Sequence, residues 1–493
     1  MGLPDAGGRA FSLLLGAAAL NGFSCGAKPR LDDNALVATR DGSGADRHEL
    51  AELARGRAEE LADAGVVAVA LTWVDNVGVT RVKAVPVARL EQAVTAGVGM
   101  STVHDVFQVD DSITMSHYIG GPVGDLRLRP DLGALTILSA QPGWAWAPAD
   151  RFTLDGRPYP PDQRTFARRM AHVAAKAGIA LRMGFELEWY LANPDGTPAA
   201  SGPAYGMTRL MEVADYGRDL LTALAAQRVP VLQYHPEYGV SQFELSTAPD
   251  DPVAAADRLI LTRETVRAVS LRHGFRASFA PAPVADSVGN GMHLHVSVLD
   301  ADGRNLFVDG PGPHGVTEVG ESVLADLLAR LPALGTIGAP SVASHLRSVP
   351  QRWAGAYHCW GVQNREAGLR FVTSSAGAGA AAPNVELKCV DASANPYLMV
   401  GAVCAVAAHG TSAGLRLPPA VDVDPVSLPV EARPNRLPET VSAGMTALFD
   451  DALLIAAIGA ELADAFRAVH VADAEWAAGR SVHDIAAATR WRY

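Results

Sequence analysis

The 493-residue chain predicts an α+β fold, and three patterns carry that prediction. Stretches of helical spacing alternate with short strands. Four of the strands, GFELEWY (184–190), VSQFELS (240–246), GMHLHVS (291–297) and NVELKCV (384–390), set polar residues two apart between apolar neighbours. A helix, a hairpin and a second helix stand together between residues 49 and 96.

Residues 1–46 carry Gly, Asp and Arg without a period and read as a disordered tail. Within it, FSLLLGAAALNGFSC (11–25) follows Arg9 in the manner of a weak export signal. Phe23 intrudes where cleavage would fall, so the stretch reads as an extension instead. Leu50, Leu53, Ala54, Ala58 and Leu61 predict a helix over 49–64. A β-type run over 66–73, the turn Asp75-Asn76-Val77-Gly78 and a return strand over 80–87 make a hairpin. With the helix-like stretch 87–96 they form a small α+β domain, ending in a Pro-, Trp- and Asp-rich passage over 141–160. From 161, helices are expected over 163–178, 218–227 and 253–273, with the four strands between and after them. AGAGAAAPN (376–384) reads as a loop leading into the Glu386 strand. Asn395-Pro396-Tyr397 reads as a helix start, Asn as the cap and Pro in the first turn. Residues 437–466 are mostly helical, interrupted near Gly459, and a last helix covers 482–489.

Residues i and i+2 of a strand share a face. Glu186 with Glu188, Gln242 with Glu244, His293 with His295 and Glu386 with Lys388 therefore each point one way. Phe185, Leu187, Phe243, Leu294, Val296, Val385 and Leu387 point the other. One such strand is an ordinary solvated face. Solvated faces mix Thr, Ser, Lys and Arg, however, and four segments restricted largely to Glu, Gln and His are not that mixture. On one sheet they would crowd carboxylates and two imidazoles together. Carboxylates that close cannot all stay ionised without a cation, so the pattern points to a divalent-metal site.

Bulk properties narrow the classes. Apolar residues make up 49% and charged residues 19%, the balance of a globular protein. Net charge is −12, from 41 basic and 53 acidic residues. With no Lys/Arg block bearing interleaved aromatics, this disfavours nucleic-acid binding. Gly, Pro and charges interrupt the apolar runs, so no membrane span is expected. Cys25, Cys359, Cys389 and Cys404 form no CxxC pair. Neither a disulfide framework nor a zinc site is expected, and the cytoplasm is the default location.

From about Val67 onward the chain resembles the glutamine synthetase family. The resemblance rests on DNVGVTRVKAVPV (75–87), GDLRLRPDL (124–132), GFELEWY, HPEYGVSQFELS (235–246), GNGMHLHVS (289–297), NREAGLR (364–370) and VELKCVDASANPYL (385–398), in family order. It implies an N-terminal β-grasp domain over 47–150 and a catalytic domain over 151–493 built on a curved antiparallel sheet with helices. It also implies a homo-oligomer, usually twelve chains in stacked rings, with active sites between subunits.

Residue by residue, the resemblance makes Glu188, Glu237 and Glu244 ligands of one Mg²⁺ or Mn²⁺ and Glu186, His293 and Glu386 ligands of a second. Oxygen-rich ligation with an imidazole suits those ions. His295 and Ser297 match ATP contacts. Arg347 and Arg370 match arginines near the glutamate carboxylates and the transferred phosphate, and Arg365 matches a phosphate-binding arginine. Lys388 stands where glutamine-forming members carry Arg; it neutralises an anion without the bidentate fork. The implied reaction phosphorylates the γ-carboxylate of glutamate with ATP, and a nitrogen nucleophile then displaces phosphate.

The chain departs from glutamine-forming members where ammonium binds. Ser101 takes the place of an Asp, Trp353 that of a flap Glu, and Val288 that of an Asn. Two anionic groups of the ammonium pocket are missing while the metal ligands are kept. Trp353 offers a face to an organic ammonium group or an alkyl chain. Trp-Ala-Gly, Cys-Trp-Gly and Asn-Arg-Glu-Ala together look like the γ-glutamyl-amine ligases of this family, with Glu237 as the candidate base. True glutamine synthetase is the alternative, and a non-catalytic structural relative is an alternative of another class. The loop over 422–438 contains no tyrosine, so adenylylation control is not expected.

Overall fold

The computed structural model describes residues 44–373 and 383–493. The expected tail over 1–46 lies almost wholly outside the described residues, with its apolar stretch and Cys25, and so does most of the loop over 376–384. Two sheets stand within one compact unit, Gly42–Tyr493. The first holds β1 (Ala68–Val74), β2 (Thr80–Pro86), β3 (Val98–Ser101), β4 (Asp125–Pro130), β5 (Thr136–Ile137) and β6 (Trp144–Thr153), ordered β2-β1-β6-β4-β3 with β5 on β6.

The β1–β2 turn forms as expected. The Asp75 carboxylate accepts the N–H groups of Val77 and Val79 at 3.1 and 2.9 Å. Gly78 has φ 75°, and a Cβ there would lie 2.2 Å from the Ser393 carbonyl oxygen. Only glycine fits that approach. The helix Gly44–Asp63 precedes the hairpin, and a short 3₁₀ turn leads into the helix Leu90–Thr95. The passage 141–160 is a correction. It contains β6, which pairs in parallel with β1 and antiparallel with β4. Pro148 hid this strand, since proline signals a break; its carbonyl nonetheless accepts the Asp131 N–H at 2.9 Å.

The second sheet holds β7 (Ile179–Ala192), β8 (Val231–Pro236), β9 (Gln242–Thr247), β10 (Arg276–Ser278), β11 (Met292–Asp300), β12 (Tyr357–Val362), β13 (Ala367–Val372) and β14 (Asn384–Leu387). Its order is β12-β13-β14-β11-β7-β9-β8, with β10 on β7. Its strand pairs are antiparallel except β12 with β13. All four alternating segments meet here. Phe185, Leu187, Phe243, Leu294, Val296, Val385 and Leu387 are buried in the main core, as expected.

Helices Gln163–Lys176, Pro252–Arg272 and Val482–Thr489 form close to where spacing put them. Helix Pro396–Ala413 begins as predicted: the Asn395 side chain accepts from Tyr397 N and Leu398 N at 3.0 and 3.1 Å. This helix packs on Gln163–Lys176 and on Glu318–Ala329. The stretch expected as 437–466 breaks twice, giving Val441–Phe449, Ala452–Ile458 and Ala460–Ala477. Gly459, at φ 90°, makes the expected break. The unexpected one comes at Asp450-Asp451, where Asp451 caps the next helix through Leu454 N. Among the described residues no single helix is long and apolar enough to cross a membrane. Cys359, Cys389 and Cys404 are buried free thiols; burial pushes Cys359 and Cys389 up to about 12, so neither is a ready nucleophile.

Candidate active site

Strand register assembles the site. Glu186 pairs with His293 across β7–β11, Glu188 with Glu244 across β7–β9, and His295 with Glu386 across β11–β14. Neighbouring strands lie about 4.8 Å apart, so these partners meet on one face by sheet geometry alone. His293 Nδ1 lies 3.4 Å from Glu186 Oε2 and 3.3 Å from Glu386 Oε1, and its Nε2 lies 3.8 Å from Glu188 Oε1. His295 Nε2 is 3.3 Å from Glu186 Oε1.

Cations and imidazoles counter this crowding unevenly. Burial works to raise Glu186, but hydrogen bonds with His293 and His295 outweigh it and hold the carboxyl well below the usual range. Burial likewise opposes ionisation of Glu386, yet Lys388, His295 and His293 hold it low. Lys388 Nζ donates to Glu386 Oε1 at 3.0 Å, and an Arg370 N–H donates to Oε2 at 2.8 Å. Glu188 and Glu244 lean the other way: burial raises both, and neighbouring carboxylates add to it. A bound cation would relieve that repulsion.

Three clusters among the described residues bring donor atoms close enough to share a metal ion: Glu186–Glu244–His293, Glu186–His295–Glu386 and His235–Glu237–Glu244. These clusters cut across the sorting implied by the resemblance, with Glu186 and Glu244 each serving two of them. Carboxylate oxygens with imidazole nitrogens form a donor set that fits a hard divalent cation. Glu188 is pre-oriented for such a role. Its Oε2 accepts Gln242 Nε2 at 2.6 Å and Gly291 N at 2.9 Å, leaving Oε1 toward His293. Gly291 allows the convergence, since a Cβ there would meet His293 Nε2 at 2.5 Å, Arg347 Nη2 at 2.8 Å and Glu188 Oε1 at 3.0 Å.

The other candidate residues divide between this face and a cleft at Trp353. Arg347 is buried, with Nη2 3.2 Å from His293 Nε2 and 3.3 Å from the Lys388 carbonyl. Ser297 continues the face of His293 and His295 and donates to the Pro383 carbonyl at 3.1 Å. Arg365 is exposed, its guanidinium 6.0 Å from the centre of the Trp353 ring. Glu237 accepts Tyr238 N at 2.8 Å, and burial followed by the nearby Glu237 pushes the Tyr205 hydroxyl above its usual range. Trp353 lines a cleft of about 340 Å³ with Gln351, Asn364, Arg365, Glu366 and Asp424.

His235, outside the candidates read from the sequence, lies 3.3 Å from Glu244 and 3.7 Å from Glu237. The signal was present: His235 and Glu237 stand two apart, the spacing that marked the four segments.

The sequence matches the glutamine synthetase catalytic domain over residues 160–488 and the glutamine synthetase N-terminal domain over 54–158. The chain thus belongs to the glutamine synthetase family, as an ATP-dependent ligase that forms carbon–nitrogen bonds. It is 47% identical to γ-glutamylpolyamine synthetase GlnA3 of Streptomyces coelicolor over 452 residues, which is 90% of this chain and 97% of that one. A solved glutamine synthase homologue superposes with a TM-score of 0.79 at 30% identity, covering 87% of this chain and 99% of that one. An ADP complex of GmaS superposes with a TM-score of 0.76 at 26% identity, covering 88% and 97%.

Proposed function

We propose that the protein phosphorylates the γ-carboxylate of glutamate with ATP and joins the activated acyl group to an organic amine of the polyamine or ethanolamine type. The observation that carries the reading is Trp353, 55% exposed in its cleft, at the position where the family resemblance expects the flap carboxylate for ammonium. An indole face and the missing Asp at Ser101 suit an alkylammonium better than NH₄⁺, which needs close anionic partners. The similarity to a γ-glutamylpolyamine synthetase over nearly the whole chain supports the same choice.

In this reading Glu186, Glu188, Glu237, Glu244, His293 and Glu386 hold two Mg²⁺ or Mn²⁺ ions, which would neutralise phosphate charge. His295, Ser297, Arg365 and Lys388 bind ATP and the transferred phosphoryl group, while Arg347 and Arg370 hold glutamate and phosphate. Positioning and charge neutralisation are the main needs of phosphoryl transfer. Glu237, beside Tyr205 and His235, takes the proton from the attacking amine. The family resemblance supports a homo-oligomer of stacked rings, twelve chains in the cytoplasm, with active sites between subunits. Native mass measurement checks the oligomer, and a monomer would contradict that part.

The test is phosphate release with ATP, Mg²⁺ and glutamate, adding ammonium, ethanolamine, putrescine, spermidine or spermine singly. Turnover with an organic amine and little with ammonium is expected. Strong turnover with ammonium alone would make the protein a glutamine synthetase.

A further inference from the structure

We infer that Glu366 is the positioning residue of the amine site: its buried carboxylate holds the backbone of residues 351–353 and so fixes Trp353, which selects the amine. The inference rests on the amine-ligase reading and deepens it by naming the group through which the loop is held.

Glu366 is 5% exposed. Its Oε2 accepts Gln351 N at 3.1 Å and its Oε1 accepts Trp353 N at 2.8 Å. Among the described residues it forms no salt bridge, so two backbone N–H groups do the work of a cationic partner. Those donors belong to residues in an unusual conformation. Gln351 has φ 62° and Trp353 has φ 54°. Bulky side chains rarely adopt this left-handed region, and it persists only where surroundings over-determine it.

The loop is pinned on its other sides as well. Arg352, between the two held residues, donates to the Ser287 carbonyl at 2.7 Å. Gly355 lies so close to Lys388 that a Cβ would meet the Lys388 Cβ at 2.7 Å. The carboxylate itself stands on a braced turn. Glu366 N donates to Asn364 Oδ1 at 3.0 Å, and Asn364 Nδ2 donates to the carbonyls of Val421 and Val423 at 2.6 and 3.0 Å. Trp353 therefore projects from a backbone that Glu366 holds at two N–H groups, one of them Trp353's own. A glutamine at 366 would turn an NH₂ toward one of the two N–H groups and keep one bond; an alanine would keep neither.

The experiment compares wild type, Glu366→Gln, Glu366→Ala and Trp353→Ala, and the double variant Trp353→Ala with Glu366→Gln, as full chains. It reads KM for the accepted amine, KM for ATP, and the rate of tryptic cleavage after Arg352. Loss of one charge-assisted bond should raise the amine KM roughly tenfold in Glu366→Gln, and loss of both should raise it further in Glu366→Ala, with the KM for ATP within about twofold of wild type. Cleavage after Arg352 should accelerate in the same order. In the Trp353→Ala background, Glu366→Gln should change the amine KM by less than about twofold, because the pair acts as a unit. Unchanged cleavage would overturn the inference, as would faster cleavage with an unchanged amine KM or full additivity with Trp353→Ala. A wild type that turns over no organic amine would defeat the underlying reading instead, while the cleavage rates still test the hold on the loop.

Discussion

At the residue scale, the carboxylates of the candidate metal site depend on neighbours that fix their orientation. Gln242 is the clearest case. It donates to Glu188 Oε2, and its own Oε1 accepts Gly239 N at 2.8 Å. Gln242→Ala should leave Glu188 held by Gly291 N alone and weaken Mn²⁺ binding by about tenfold or more, the usual cost of losing such a partner. Titration of the purified protein followed by electron paramagnetic resonance reads this without any turnover. Affinity equal to wild type would show that Glu188 needs no such orientation. The alternation of Glu, Gln and His announced the polar face because strand period is fixed by covalent geometry. Gln242 was legible as a member of that face but not as the anchor of Glu188, because the bond crosses from β9 to β7. Glu366 was legible only as part of a motif, since its partners come from a loop with left-handed residues that no periodicity marks.

Elements are tied together at their ends. Asn395 caps helix Pro396–Ala413, and its Nδ2 donates to the carbonyls of Val74 and Asp75 at 3.0 and 3.2 Å, joining the helix to β1 of the first sheet. Asn395→Ala should lose the cap and the contacts to both carbonyls, of which Asp75 O still accepts Gly78 N, costing about 1–3 kcal/mol in urea unfolding. Asn395→Asp keeps the cap oxygen but turns a buried carboxylate oxygen toward the two carbonyls, and should cost at least as much as Asn395→Ala. Wild-type stability in Asn395→Asp would mean that the carbonyl contacts contribute nothing. The Asn-Pro pair revealed this helix start from local chemistry alone. Strand β6 stayed hidden for the opposite reason: its Pro148 reads locally as a break, and only pairing with β1 and β4 makes it a strand. Helix Glu318–Ala329 was also missed, although Glu318, Glu321, Ser322 and Asp326 stand at helical spacing; its residues 320–328 are all buried.

On the scale of the whole molecule, a buried titrating group joins distant segments. Asp473, on helix Ala460–Ala477, accepts Val109 N at 3.1 Å, and burial pushes its pKa from 3.8 to about 7. Between those values the folded chain keeps a proton that the unfolded chain has released, so this group lowers stability as pH rises through the window. Asp473→Asn keeps an acceptor for Val109 and removes the charge. Its gain in thermal midpoint should be larger at pH 8 than at pH 5, by an amount on the order of 2–3 kcal/mol in free energy. The same gain at both would show that Asp473 does not titrate in that window.

The central claim is that a kept metal face joined to an altered amine pocket makes the chain an organic-amine ligase. One competition measures it most directly. The protein is given ATP, Mg²⁺ and glutamate with ammonium and a polyamine at equal concentration, and the products are weighed by mass spectrometry. γ-Glutamylpolyamine in clear excess over glutamine is expected; glutamine as the dominant product would contradict the amine-ligase assignment.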